Sequence, residues 1–343
     1  MVKFVTVQKP GQEGTFPGIV VDSFVLDLTQ SLNSGKHSPS TMLEWIQLGE
    51  EGVDHARKME VLFREGKIDP TLPLETAKFK APLPNPVTLR DAYAFENHVK
   101  AGRASRGLAM IPEFYQFPVF YYSNPLAIFG PGKIPVQKDH LWDLDFELEA
   151  AVVIGKRGKN ISSEKADSWI FGYMIMNDFS TRGLQRQEMK LNLGPAKGKD
   201  FATAFGPYLV TPDELSSFLV EENGFNKGSR YNLVMKAFHN GKQVSEGNLK
   251  DMTFTFAEII ERASYGTELH PGEVIGSGTV GTGCFLELNG TAQAKAKREG
   301  RKFEPTWLKN GDEICLEITG LGRLSNTIEL VSDYSLLDIL DKF

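Results

Sequence analysis

LDFELEAAVVIG, residues 144–155, places acids at 145, 147 and 149 between apolar residues at 144, 146, 148 and 150. Alternation with a period of two marks a half-buried β-strand, so Asp145, Glu147 and Glu149 are expected on one face. Same-face neighbours on a strand lie about 6–7 Å apart at Cα. Two carboxylates at that separation repel by roughly 3 kcal/mol when the effective dielectric is about 20. Three in a row must face open water, take up protons or share a cation.

The surroundings of this stretch are also strand-like. PVFYY (118–122), WIFGYMIMND (169–178), GPYLVT (206–211), YNLVMKAFHNGKQV (231–244), CFLELNG (284–290) and EICLEITG (313–320) all read as strands. Asn240-Gly241 is a strong two-residue hairpin signal. FTFAEIIERAS (254–264) reads as a helix, and TMLEWIQL and VDHARKMEVLFRE supply helices nearer the N-terminus, after strands at FVTVQ and SFVLDL. The three prolines of APLPNPVTLR (81–90) disfavour helix and place a boundary there. The expected architecture is α+β and β-dominated. A small α+β N-terminal domain (1–80) precedes a mixed β-sheet domain (81–343).

Composition narrows the function. The chain has 343 residues, 41% hydrophobic and 24% charged, with a net charge of −6. A groove for nucleic acid is disfavoured by that charge, and no apolar run approaches the roughly 20 residues of a membrane span. Two cysteines, and an N-terminus without an apolar leader core, lead to the expectation of a cytoplasmic protein.

GSGTVG (276–281) has the Gly-x-Gly-x-x-Gly spacing of a dinucleotide-binding turn. Such a turn must open a helix whose N-terminus meets the phosphates. Because CFLELNG reads as a strand, a loop that lets backbone approach a ligand is the preferred account.

Acids elsewhere favour a shared cation. Asp178 ends an apolar run, and Asp91 follows the proline segment. Oxygen-only ligands suit Mg²⁺, Mn²⁺ or Ca²⁺, and the absence of Cys/His pairs argues against structural zinc. His98 lies seven residues after Asp91, which on one helix would put both on the same face. Arg182 and Gln185 are spaced to share a helical turn near an anionic substrate. Lys197 and Lys199 fall in a glycine-containing loop.

The order of RDAYAFENH (90–98), LDFELE, FGYMIMNDFSTRGLQ (171–185), LGPAKGKDF (193–201), GSGTVGTG and CFLELNG resembles the fumarylacetoacetate hydrolase family. The resemblance covers about 88–332 and implies a mixed β-roll holding a divalent cation, with Mg²⁺ first and Ca²⁺ or Mn²⁺ as alternatives. It implies Asp91, Glu147, Glu149 and Asp178 as metal ligands, with Asp145 facing solvent or a neighbouring loop. Lys199 and Thr203 would stand beside the metal, in charge stabilisation or at a second cation. Tyr93, Tyr121, Gln185, Thr279, Arg182 and Arg106 would contact substrate. His98 and Glu287 match the pair that activates water, with Lys199 assisting.

The implied activity is hydrolysis of a carbon–carbon bond in a 1,3-diketo acid, fumarylacetoacetate- or acylpyruvate-like, by a homodimer. A decarboxylase or isomerase of 2-oxo acids on the same scaffold, and a metal-dependent binding protein without turnover, are the alternatives.

Overall fold

Strand Ile170–Asp178 is buried along its whole length and lies inside the larger of the two main sheets, beside which the described residues form two short two-stranded pairs. A computed structural model describes residues 2–9, 11, 13–30, 39–104, 107–220 and 226–340. Across the larger sheet the strands run in the order Leu72–Pro73, Phe24–Asp27, Thr15–Val21, Lys3–Gln8, Thr203–Val210, Ile170–Asp178, Leu148–Ile154, Val274–Gly276, Leu89–Ala92 and Phe120–Ser123. Pairing along this path is antiparallel except between Val274–Gly276 and Leu89–Ala92. A second sheet orders Lys242–Asn248, Val234–His239, Glu313–Ile318, Gly322–Ser332 and Gly132–Gln137. The fold is sheet-rich and mixed, as the sequence indicates.

The expected half-buried strand at 144–155 is corrected in two ways. It is broken: Leu144–Asp145 pairs with Ser180–Thr181, and Leu148–Ile154 enters the larger sheet. Both of its faces are also covered. Leu148, Ala150, Val152 and Ile154 belong to the core that includes Met235, Ala237, Leu316 and Leu324 of the second sheet. Ala151 and Val153 belong to another core, with Trp45, Ile46 and Met59. These last come from helices α1 (Met42–Gln47) and α2 (Glu50–Arg64), which lie over the opposite face. Strands covered on both sides lose the clean polar-out alternation of a one-sided sheet.

Helix α1 begins with a capping box between Thr41 and Glu44. Hydrogen bonds cross the boundary expected at residue 80, since Lys3–Gln8 pairs with Thr203–Val210 and the Lys80 amide donates to Thr6. The Asn240-Gly241 turn joins its two strands as the sequence suggests, with both residues at positive φ. Among the described residues, no helix is long and apolar enough to cross a membrane.

The carboxylates gather through strand register. Leu148 pairs with Asn177, which brings the start of one strand beside the end of the next and so Glu149 near Asp178. Gly276 pairs with Asp91 on the other side.

Candidate metal centre and its histidine

Asp91, Glu147 and Asp178 each offer an oxygen, and these oxygens lie within 4.8 Å of one another. All three residues are buried, as are Glu149 and Asp145. Asp91 Oδ1 and Glu149 Oε2 accept from the same Gly278 amide, at 3.2 and 3.1 Å. Gly278 has φ +77°, and a Cβ there would lie 2.4 Å from the Ala92 carbonyl oxygen, so glycine is required. A side chain at Gly276 would meet Asp91 Oδ1 at 2.6 Å. The glycine loop therefore brings backbone close to the carboxylates themselves.

Lys199 and Arg182 counter part of this charge. Lys199 Nζ donates to Glu147 Oε2 at 2.5 Å and to Asp178. Arg182 donates through Nε to Asp145 at 2.9 Å and through one terminal nitrogen to Glu147 at 2.7 Å. The other terminal nitrogen reaches Gln185 Oε1 at 3.0 Å. Arg182 and Gln185 do share helix α4 (Arg182–Glu188), the next in order after α3 (Glu96–Ala104). Arg182 is buried, with all three guanidinium nitrogens engaged, so its place is behind Glu147.

The acids titrate apart. Burial, then the Asp178 charge, pushes Asp91 up to about 7. Burial and the charges of Asp91 and Glu147 place Glu149 well above the usual carboxylate range. Burial also acts upward on Glu147, but Lys199 and Arg182 outweigh it and hold that group below its ordinary value. Burial opposes the charge on Lys199, yet Asp178 and Glu147 raise it.

A divalent cation fits these residues. The donors are hard oxygens, the acids outnumber the cations that touch them, and Asp178 Oδ1 is buried without a hydrogen-bond partner. Asp91, Glu147 and Asp178 would hold the cation, with Glu149 alongside through Gly278.

His98 and Asp91 do not share a helix, as their spacing suggested. Asp91 lies on strand Leu89–Ala92, whereas His98 lies in the first turn of α3. Glu287 is likewise not on a strand. CFLELNG opens helix α6 (Phe285–Arg298), which follows α5 (Phe256–Ser264). The period-two pattern of CFLELNG is overridden by a buried acid at the helix N-terminus. Asp145 Oδ1 accepts from the Phe285 amide at 2.7 Å and Oδ2 from the Leu286 amide at 3.0 Å. Asp145 thus caps a distant helix and pairs with Arg182; it does not face solvent. It also occupies the helix end where a dinucleotide phosphate would have to bind.

The two helices bring His98 Nδ1 to 2.5 Å from Glu287 Oε1, and both residues are buried. Cys284 lies within 4.8 Å of this pair. Burial and the Asp145 charge push its thiol well up, so it remains neutral and unsuited to act as a nucleophile.

The remaining expected site residues surround these groups. Tyr93 packs edge-on against His98, with ring centroids 5.5 Å apart. The Tyr121 hydroxyl bridges Asp178 at 2.5 Å and Asp91 at 3.0 Å. Thr279 Oγ1 donates to Glu149 at 3.4 Å, and Thr203 is buried in register with Asp178. Arg106 lies outside the described residues. Sequence reading missed the contribution of Thr282, whose amide donates to Glu287 Oε2 at 3.0 Å. No pattern in the sequence signals it.

Residues 88–329 match the family model for the C-terminal domain of fumarylacetoacetate (FAA) hydrolase. The chain is similar to oxaloacetate tautomerase YisK of Bacillus subtilis (strain 168), 28% identical over 91% of this chain and 96% of that protein. It is also similar to fumarylacetoacetase of Oryza sativa subsp. japonica, 30% identical over 60% of this chain and 56% of the relative. The crystal structure of a putative HpcE protein from Mycobacterium smegmatis superposes with a TM-score of 0.68. That likeness covers 96% of this chain and 100% of the other at 22% identity, and shows a common fold.

Proposed function

Since the chain belongs to the fumarylacetoacetate hydrolase family, we propose that it hydrolyses a carbon–carbon bond in a 1,3-diketo acid, fumarylacetoacetate- or acylpyruvate-like. The observation that carries this reading is the buried 2.5 Å contact between His98 and Glu287 beside the carboxylate cluster. A family of enzymes that includes tautomerases as well as hydrolases needs such a base when water must be activated. Transfer of a proton within a substrate uses the same pair without a water, so the products formed from each substrate decide between the two.

Nδ1 of His98 donates to Glu287, which leaves Nε2 as the basic nitrogen. Nε2 takes a proton from water, and the water oxygen adds to a substrate carbonyl carbon. The imidazolium formed is stabilised by the Glu287 carboxylate. The adjoining carbon–carbon bond then breaks, its electron pair passes into the other ketone as an enolate, and His98 returns the proton to carbon. Lys199 donates to Glu147 and Asp178 with two of its three protons. Its third is the donor for developing enolate charge. Arg182 holds Glu147, and Tyr121 holds Asp91 and Asp178, so the carboxylates keep their positions while charge moves. A bound divalent cation would supply Lewis acidity toward the two substrate oxygens.

A second reading is favoured by the near full-length similarity to an oxaloacetate tautomerase. On that reading, the same base moves a proton between the enol and keto forms of a 2-oxo dicarboxylate. Acetylpyruvate, fumarylacetoacetate and oxaloacetate, each offered with Mg²⁺, separate the two. Cleavage of either diketo acid supports the hydrolase. Rapid enol–keto interconversion of oxaloacetate, with both diketo acids intact, overturns it.

A further inference from the structure

Thr282 has φ +69°, a left-handed backbone that a β-branched residue rarely adopts, and it is exposed. Glycine would take that conformation without strain, and both neighbours, Gly281 and Gly283, are glycines. The side chain accounts for a threonine here. Thr282 Oγ1 lies 3.0 Å from Ser245 Oγ and donates to the Glu246 carbonyl at 3.3 Å. Ser245 is buried on strand Lys242–Asn248, at the edge of the second sheet.

That strand is pressed against the loop at one more point. A Cβ on Gly247 would lie 2.6 Å from Val280 Cγ2. The loop is equally crowded on its other sides: a Cβ on Gly281 would meet Asn97 Cβ at 2.9 Å, and one on Gly283 the Val280 carbonyl oxygen at 2.7 Å. Asn97 immediately precedes His98 in the chain. The left-handed turn at 282 therefore sits between the second sheet and α3, and aims its amide at Glu287 Oε2, 3.0 Å away. The other oxygen of Glu287 holds His98.

We propose that Thr282 is a positioning residue: its hydroxyl, anchored by Ser245 and the Glu246 carbonyl, keeps a strained backbone amide on Glu287 and so fixes the direction of the His98 ring. Backbone strain held in place by surrounding structure is characteristic of functional sites. A carboxylate fixed by a second donor constrains the imidazole more tightly than one free to rotate. The assignment rests on the reading of His98 as the base that activates water.

Thr282→Gly tests it, because it keeps the amide and relieves the strain while removing the anchor. With acetylpyruvate and Mg²⁺ as probe, the variant should lose about tenfold in kcat with KM unchanged. Its melting temperature should not fall. Thr282→Ser, which keeps the hydroxyl, should restore kcat, and Ser245→Ala should reproduce the loss. The far-downfield proton resonance of His98 Nδ1–H gives a readout without substrate, and should shift or broaden in Thr282→Gly and recover in Thr282→Ser. Wild-type kcat and an unmoved resonance in Thr282→Gly overturn the assignment. So does a loss of kcat accompanied by a lowered melting temperature that serine does not correct. Wild-type turnover in His98→Ala would instead overturn the reading of the base on which the assignment rests.

Discussion

His98 Nδ1 and Glu287 Oε1, 189 positions apart in the chain, are brought to 2.5 Å by the first turns of two helices. The contact is buried, so the carboxylate and the ring constrain each other with little competition from water. One face of the pair is closed by Tyr93 and another by Cys284. This leaves one ring nitrogen for chemistry.

Replacing His98 by Ala should therefore lower kcat by about 10²–10⁴ toward whichever diketo acid is cleaved, the usual loss on removing a general base. Glu287→Gln should cost less, because the amide oxygen still accepts from the ring while the stabilising charge is gone. Steady-state kinetics on both variants checks this. Equal activity in His98→Ala and wild type would remove water activation from the account.

Asp178→Asn and Glu147→Gln should each reduce Mg²⁺ affinity by at least about a hundredfold, since even outer partners of metal ligands are worth 10–100-fold. Titration calorimetry on the folded variants measures it. Unchanged Mg²⁺ binding in both would show that the cluster is held together by Lys199 and Arg182 alone.

Much of this site was legible in the chain because acids in apolar surroundings are anomalous wherever they occur. Asp178 at the end of a buried strand, and Glu147 and Glu149 before an apolar run, could be singled out without coordinates. The glycine loop could be read as a close backbone approach, though not as one toward Asp91 and Glu149. Two elements misled. The alternation in CFLELNG suggested a strand, because nothing local reveals that Asp145 caps it from 140 residues away. The alternation in LDFELEAAVVIG suggested a half-buried strand, because nothing local reveals that helices α1 and α2 pack with Ala151 and Val153 from a distant part of the chain. Period-two patterning reports side-chain direction, and what lies on each side is decided by tertiary contacts.

Asp145 should prove a stability residue. Its carboxylate accepts from the amides of Phe146, Phe285 and Leu286 and from Arg182. Asp145→Ala leaves the α6 amides and part of the guanidinium unpaired inside the protein, which should cost about 3–5 kcal/mol. Asp145→Asn keeps one acceptor oxygen and should cost less. Urea unfolding of both variants, with Mg²⁺ at a fixed saturating concentration, checks the order. A destabilisation below about 1 kcal/mol for alanine would contradict the capping role.

Asp91 predicts how metal and pH trade places. Its folded-state pKa is raised from an ordinary 3.8 to about 7, by burial first and Asp178 second. Between those values the folded protein binds a proton that the unfolded chain has released, so stability falls as pH rises. This contribution is fully present below about pH 4 and is gone once the pH has passed through about 7. Glu147 is shifted the opposite way, so its contribution is lost only as pH falls below the ordinary carboxylate range, outside this window. Measured against Asp91→Asn, which lacks this proton, metal-stripped wild type should thus lose stability between pH 6 and pH 8. A divalent cation competes with that proton, so added Mg²⁺ should stabilise more at pH 8, and its binding at pH 6 should release protons. Calorimetry in buffers of different ionisation enthalpy measures the release, and Asp91→Asn should diminish both effects. His55 and His140, whose burial lowers them from the ordinary 6.5, act in the opposite direction in this window, so the variant is the reference: the same pH 6 to 8 change in wild type and Asp91→Asn would show that Asp91 is ionised in the folded protein.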